Sequence, residues 1–594
     1  MVTQKKEGAV ERTVDFLFKE ENNRYILLLF VIGLVLRLFI SLRIPFGADE
    51  MGYAVHSIGF IDSGKLQIHD QDGVWFFLSD LFMNLLGVNV LGLRFLAVLF
   101  GSLSIILIYL VGKEVFDKQV ALIAAFLLTV SSYSILISIG SMDVPMAFFS
   151  LFSMYFLILF FKTNSSKYFV FTWISLGIAI MIKQIALLFI PAFILFSLFY
   201  NKKNNNSWKI SQLIYAALII VLMVTPVLAY NHLLYKDKGL VDMQFSRFFG
   251  IAEEKYQDIS ATLKPFSLKT LLISHDGDIP GFLIALKFIY SFESLFISLF
   301  AVLGIFIVVS SKRQFKWLLF LSLLFPFIFL AGTSLLSNHF VFTAFFLSLF
   351  SAKGIDFLSD KFKEPGNKKR IIFIILILVI FSSAFQVYQY NNNGFFGKNE
   401  IAQMIDFKDE EIPDTSLVIV DSRIYRGRIA FMFWDRHYLE TNYFQNLVQL
   451  QNEFPDNLEP YQTYFVEAVT DDSGWGSIKY QPEFNQTTEQ IVDFFKQGGK
   501  LIKTINDSQG NPHFAVYWGY LDLPKGIQEL ADTTHSFFFY PLEYKPKEEV
   551  FDNYQLYTLP DTLLDKLAHI ILYTEVILAL LSIPFIFYLL FKKT

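Results

Sequence analysis

The sequence predicts an all-α polytopic membrane protein of about twelve transmembrane helices, with a small water-facing α/β domain inserted before the last helix. Three observations carry that expectation. Of 594 residues, 54% are hydrophobic and 17% charged, with 69 Phe, more apolar surface than a soluble domain can bury. Apolar runs of membrane-spanning length recur along the chain. Lys and Arg cluster in every second connection between them.

The runs fall near 24–43, 93–112, 119–138, 143–161, 167–183, 184–200, 210–230, 284–310, 315–333, 338–352, 370–389 and 566–591. The charged lead Met1 to Asn23 precedes a full-length run without a small-residue cleavage site, so the first span is expected to stay in the protein. Basic connections include Lys113 with Lys118, Lys162 with Lys167, Lys202 with Lys203 and Lys209, Lys312 with Arg313 and Lys316, and Lys353 to Arg370. The positive-inside rule makes these cytoplasmic, together with both termini. The remaining connections, 43–92, 231–283 and 391–563, face out. Chain length is spent there, so chemistry is expected there. The division that follows is a membrane core over 1–390, an extracytoplasmic domain over 391–563 and a last helix over 564–594.

The 391–563 insert alternates strand-like runs, Ser416 to Val420, Thr463 to Ala468 and His513 to Tyr520, with a helix-like run Thr488 to Gln497. That pattern reads as a small α/β domain. A net charge of −5 argues against nucleic acid as a partner. With no Cys, disulfides, thiolate metal sites and a Cys nucleophile are excluded. Neither a phosphate-cradling G-x-x-x-x-G-K-[ST] loop nor a strand-linked G-x-G-x-x-G is present, so an ATP-driven pump is disfavoured.

Candidate site residues gather at the outer ends of spans. Pro45 and Gly47 break the first span, and a helix starting beside them puts Asp49, Tyr53 and His56 at i, i+4 and i+7 on one face, with Glu50 adjoining. A carboxylate at the membrane surface is suited to general-base work. The same placement also suits a plain N-cap. Asp143 occupies a short outward turn before Val144 and Pro145, where both readings again apply. Arg94 opens the second span and Lys183 ends the fifth; two cations at one level suit a phosphate, and equally suit snorkelling to the interface. His339, opening the tenth span, is the outward histidine best placed for an anionic ligand. His69-Asp70-Gln71-Asp72 and His275-Asp276-Gly277-Asp278 leave room for a divalent metal ion, although such residues are also ordinary turn formers. No cofactor is otherwise indicated.

Taken in order, Asp49-Glu50 with Tyr53, Leu93-Arg94, the Lys113 to Lys118 turn, Asp143-Val144-Pro145, Leu176 to Lys183 and Ala352-Lys353-Gly354 resemble the GT-C glycosyltransferases. The group containing protein O-mannosyltransferases and lipid A aminoarabinose transferases is the most similar, over about the first 200 residues. The resemblance implies a membrane enzyme that takes a sugar from a polyprenyl-phosphate donor and passes it, with inversion, to a protein, glycan or lipid acceptor on the outer face of a prokaryotic cell membrane. It implies Asp49 as catalytic base with Glu50 beside it and Asp143 lining the same cavity. Arg94 and Lys183 would lie near the lipid phosphate; Tyr53, His56 and His339 are expected from their placement as further substrate contacts. The Trp-Trp-Asp signature of oligosaccharyltransferases is absent, which disfavours transfer of a whole glycan to Asn. The rival class is a secondary transporter, whose ionisable groups would be expected at the bilayer midplane.

Overall fold

The computed structural model describes residues 21–44, 48–58, 73–204, 210–239, 241, 245, 266–273, 279–333, 336–362, 364–390, 399–424, 426–441, 444–469, 482–507, 510–525 and 562–592. Each apolar run becomes helix. The helix Val90–Val115 forms the centre of the bundle, with almost every side chain buried. Asn89 starts it by accepting the Gly92 N–H at 3.0 Å. Around it pack Glu21–Ser41, Lys118–Val130 and Asp143–Thr163, while Leu563–Phe591 returns from the far end of the sequence to the same helix.

Among the described residues, six helices are long and apolar enough to cross a membrane uninterrupted, and a seventh if the pair Ser211–Met223 and Thr225–Lys236, bent by 58°, counts as one span. Six or seven of the roughly twelve expected runs are thus uninterrupted helices of that length. The other runs are shorter helices or are broken by polar residues with tertiary partners. Lys118–Val130 ends at Ser131, whose hydroxyl donates to Glu293 at 2.6 Å and caps the short helix Ser132–Leu136. The run 284–310 is likewise two helices, Gly281–Phe292 and Leu295–Ser310, separated at the same buried Glu293. That carboxyl group accepts the Ser294 N–H at 2.9 Å, so the break buries a polar group together with its hydrogen-bond donors.

Leu295–Ser310 and Phe342–Ser359 approach until backbone meets backbone. A Cβ on Gly304 would collide with the Phe350 carbonyl, and one on Gly354 with the Phe300 carbonyl. Small residues at a helix crossing permit this approach, which dispersion alone can then stabilise in lipid.

The basic connections meet at one end of the bundle. Lys162 donates to the Glu114 carboxylate at 2.8 Å, Arg313 to the Val115 carbonyl at 3.2 Å, and Lys353 and Lys368 lie 2.5 and 3.6 Å from Asp356. Glu114 ends a helix that Arg94 begins, and Lys162 ends one that Asp143 begins. The candidate site residues therefore occupy the opposite end.

Above that end stands the water-facing domain. Strands β1 (Leu417–Val420), β2 (His437–Glu440), β3 (Leu458–Ala468), β4 (Lys500–Asn506) and β5 (Pro512–Pro524) form one sheet in the order β2-β1-β3-β5-β4. β1 runs parallel to both β2 and β3; β5 runs antiparallel to β3 and β4. Helices cover both faces. Phe465, Leu521 and Leu439 pack against Ile491, Val492 and Phe495 on one side. On the other, Val418, Val420 and Val516 pack with Ile401, Met404 and Ile405, and this core continues into Met51, Ala54, Val55 and Ile58 of the first outer loop. One apolar core thus joins the domain to the loop that carries the acidic pair.

Candidate active site

The helix Ala48–Ser57 holds Asp49, Glu50, Tyr53 and His56, as the spacing expects. The side chains of Asp49 and His56 lie outside the described residues, as do the His69 to Asp72 and His275 to Asp278 segments. Tyr53 is half-buried and packs toward the membrane bundle, while Met51, Ala54 and Val55 face the outer domain. The helix is thus held from both sides.

Glu50 and Arg94 form a buried bidentate ion pair. Arg94 Nε donates to Glu50 Oε1 at 2.5 Å and Nη2 to Oε2 at 2.7 Å. Its Nη1 donates to the carbonyls of Ser41 and Ile44, the latter at 2.7 Å. These carbonyls lie at the frayed end of the first span, where a helix leaves its last acceptors without intrahelical partners. Glu50 Oε1 also accepts the Gly140 N–H at 2.7 Å. A Cβ on Gly140 would stand 2.8 Å from that same oxygen, so the turn requires glycine to come this close. Arg94 therefore ties the first span, the acidic helix and the 138–142 turn together. At least four of its hydrogen bonds are made within the protein.

Three residues beyond Gly140, Asp143 begins the next cluster. Lys183 Nζ lies 2.8 Å from both carboxylate oxygens and donates to Oδ2. That oxygen also accepts from Ser141 Oγ at 2.7 Å and from Asn338 Nδ2 at 3.0 Å. Lys183 reaches it because the chain leaves helix Ser166–Ile182 in an extended conformation at this residue. With three donors on Oδ2, Asp143 is a good anchor for the lysine. One lysine proton goes to Asp143; among the described residues the other two have no acceptor. His339 lies half-buried beside the pair, and its Nδ1 has no hydrogen-bond partner among the described residues.

Six of the eight expected site residues thus have described side chains, and Glu50, Arg94, Asp143, Lys183 and His339 assemble around the 138–143 turn. Sequence reading missed Asn338, Gly140 and the carbonyl of Ile44. Asn338 adjoins His339, but a lone Asn gives no signal of its own. Gly140 could have been suspected only from its place before Ser141 and Asp143. Asn399, opening the outer domain, was also missed: its Nδ2 donates to the Ile44 carbonyl at 3.1 Å while its Oδ1 caps helix Glu400–Glu411. Arg94 and Asn399 share that one acceptor. Among the described residues, no group of three His, Asp or Glu side chains is arranged to hold a metal ion.

Similarity to known proteins bears on this arrangement at two levels. Residues 73–230 match the family of dolichyl-phosphate-mannose-protein mannosyltransferases. That stretch contains Arg94, Asp143 and Lys183 and begins after the acidic pair. Among solved structures, ArnT from Cupriavidus metallidurans bound to undecaprenyl phosphate superposes with a TM-score of 0.56 at 12% identity, covering 86% of this chain and 98% of its own. The chain has the GT-C fold. The apo form of ArnT gives a TM-score of 0.55 at 11% identity, over 84% of this chain and 98% of that one. The GT-C likeness extends beyond the membrane helices, because coverage at this level must include part of the outer domain. No curated protein matches the sequence itself.

Proposed function

We propose that the protein transfers a sugar from a polyprenyl-phosphate donor to an acceptor at the outer membrane face, by one inverting displacement with Asp49 as general base. The observation that carries this reading is the buried turn 138–143. It binds Glu50 through Gly140 and Lys183 through Asp143, so the acid-bearing helix and a lysine with spare donors stand at one end of a GT-C fold. Undecaprenyl phosphate bound in ArnT supports a lipid phosphate as the donor's leaving group. An acceptor oxygen attacks the anomeric carbon and its proton passes to Asp49. The bond from that carbon to the phosphate oxygen breaks, and the phosphate departs with the electron pair toward Lys183. Glu50 and Arg94 act by fixing the helix from which Asp49 projects. Twelve crossings with cytoplasmic termini fit the gathering of basic residues at the opposite end, the shorter helices crossing where the protein thins the bilayer.

A secondary transporter is not favoured, since the described ion pairs among the membrane helices sit where helices begin and end at the two ends of the bundle. Mass spectrometry of envelope glycans and lipids from a deletion strain tests the reading. Loss of one sugar from one class of molecule is expected; an unchanged profile with altered uptake of a solute would support the transporter.

Lys183 gives a sharper outcome. A charge-assisted hydrogen bond is worth about 1.5–3 kcal/mol, so removing it should weaken undecaprenyl-phosphate binding roughly ten- to 150-fold. Lys183→Gln combined with Asp143→Asn keeps the buried site neutral and so avoids an unpaired carboxylate. Binding to the purified protein in detergent checks this. Unchanged affinity in the double variant would remove Lys183 from the donor site.

A further inference from the structure

The outer domain carries a groove of about 710 Å³ between helix Glu400–Glu411 and the sheet. We propose that this groove binds a neutral oligosaccharide segment of the acceptor, an inference that rests on the glycosyltransferase reading and names its acceptor subsite.

The groove lies on the sheet face that packs toward the membrane core. Tyr464 of β3, Trp518 of β5 and Lys500 of β4 are successive cross-strand neighbours on it. Phe407 and Tyr464 are buried in its floor, and Trp518 is half-exposed over it. Asp406 and Glu410, one turn apart, form the helical wall; Lys500 and Lys503 form the opposite one. Among the described residues, Asp406, Glu410 and Lys500 make no ion pair and no side-chain hydrogen bond, and Lys503 stands 5.8 Å over the Phe407 ring. Acids and bases face each other across an aromatic floor without closing on one another.

That chemistry selects a sugar. A pyranose presents C–H groups on its faces and hydroxyls around its rim; the faces suit an indole, and the hydroxyls both donate to carboxylates and accept from ammonium groups. A lipid tail would leave both charged walls desolvated without partners. Nucleic acid would meet the acidic wall. An extended peptide would gain most by pairing with a strand edge, whereas the groove offers side chains of a sheet face. The volume falls within the range of small-molecule sites.

Position ties the groove to the reaction. Asn399 holds the Ile44 carbonyl, and Gln403, one helical turn or about 6 Å along the axis, already lines the groove. A glycan lying along helix Glu400–Glu411 is thereby aimed at the loop that bears Asp49, five residues beyond Ile44.

Full-length protein in detergent, fluorescently labelled, is applied to an array of neutral oligosaccharides and of peptides. Wild type is expected to retain at least one oligosaccharide. Trp518→Ala should weaken that binding at least tenfold, and the exposed-wall variant Asp406→Asn with Glu410→Gln should do so without touching the core. Undecaprenyl-phosphate affinity should stay within twofold in both. Retention of no oligosaccharide, retention of peptides alone, or glycan binding that survives both variants would overturn the proposal. Array binding is read without turnover, so a failure of the Asp49 mechanism shows separately, in the transfer assay.

Discussion

Replacement of Asp49 by Asn is expected to abolish sugar transfer while leaving the chain folded and inserted. Asn has the same shape, so packing changes little, but it cannot take the acceptor proton. Loss of a general base typically costs roughly 10²- to 10⁴-fold in rate. Position 49 lies in the first turn of Ala48–Ser57, a helix fixed on one flank by Met51, Ala54 and Val55 against the outer domain and at Glu50 by Arg94. A group anchored this way keeps its geometry through catalysis, as a base must. The measurement is single-turnover transfer by the purified variant beside its undecaprenyl-phosphate affinity. Loss of rate with unchanged affinity is expected; near-normal turnover would return Asp49 to a capping role.

Breaking the Glu50–Arg94 pair should have the largest effect on stability. Both side chains are buried and the pair is bidentate, so removing either partner leaves a desolvated charge, at a cost of about 3–5 kcal/mol. Glu50→Gln also weakens the bond from Gly140, and Arg94→Gln frees the carbonyls of Ser41 and Ile44. Each single variant should unfold at markedly lower temperature in detergent. The double variant should lose much less than the sum, because no lone charge is left in it. Additive losses would show that the two residues act independently of their pairing.

The helices of the membrane core were legible because long apolar runs leave few alternatives in lipid. Their interruptions were not, since the breaks at Ser131 and Glu293 arise from a hydrogen bond between residues 162 positions apart. In the outer domain the strands around Ser416 to Val420, Thr463 to Ala468 and His513 to Tyr520 could be read from their apolar patterns. Strand β2 is only four residues long, and β4 is an edge strand exposed over most of its length. Neither shows the alternation that would reveal it. The site was legible as individuals: acids and cations near lipid are costly and attract notice. Which of them pair was hidden, because Glu50 and Arg94 are 44 residues apart and Asp143 and Lys183 are 40. Under the proposed function that pairing makes Arg94 a scaffold residue and leaves Lys183 to meet the ligand.

The identity of the donor is open to one direct assay. Purified protein in detergent receives cell-derived acceptor and a panel of radiolabelled sugars, each supplied either as its polyprenyl-phosphate ester or as the matching nucleotide sugar. Transfer of label from one of the lipid-linked sugars is expected, abolished by Asp49→Asn, with none from nucleotide sugars. Label passing from a nucleotide sugar with no lipid carrier present would contradict a lipid-linked donor.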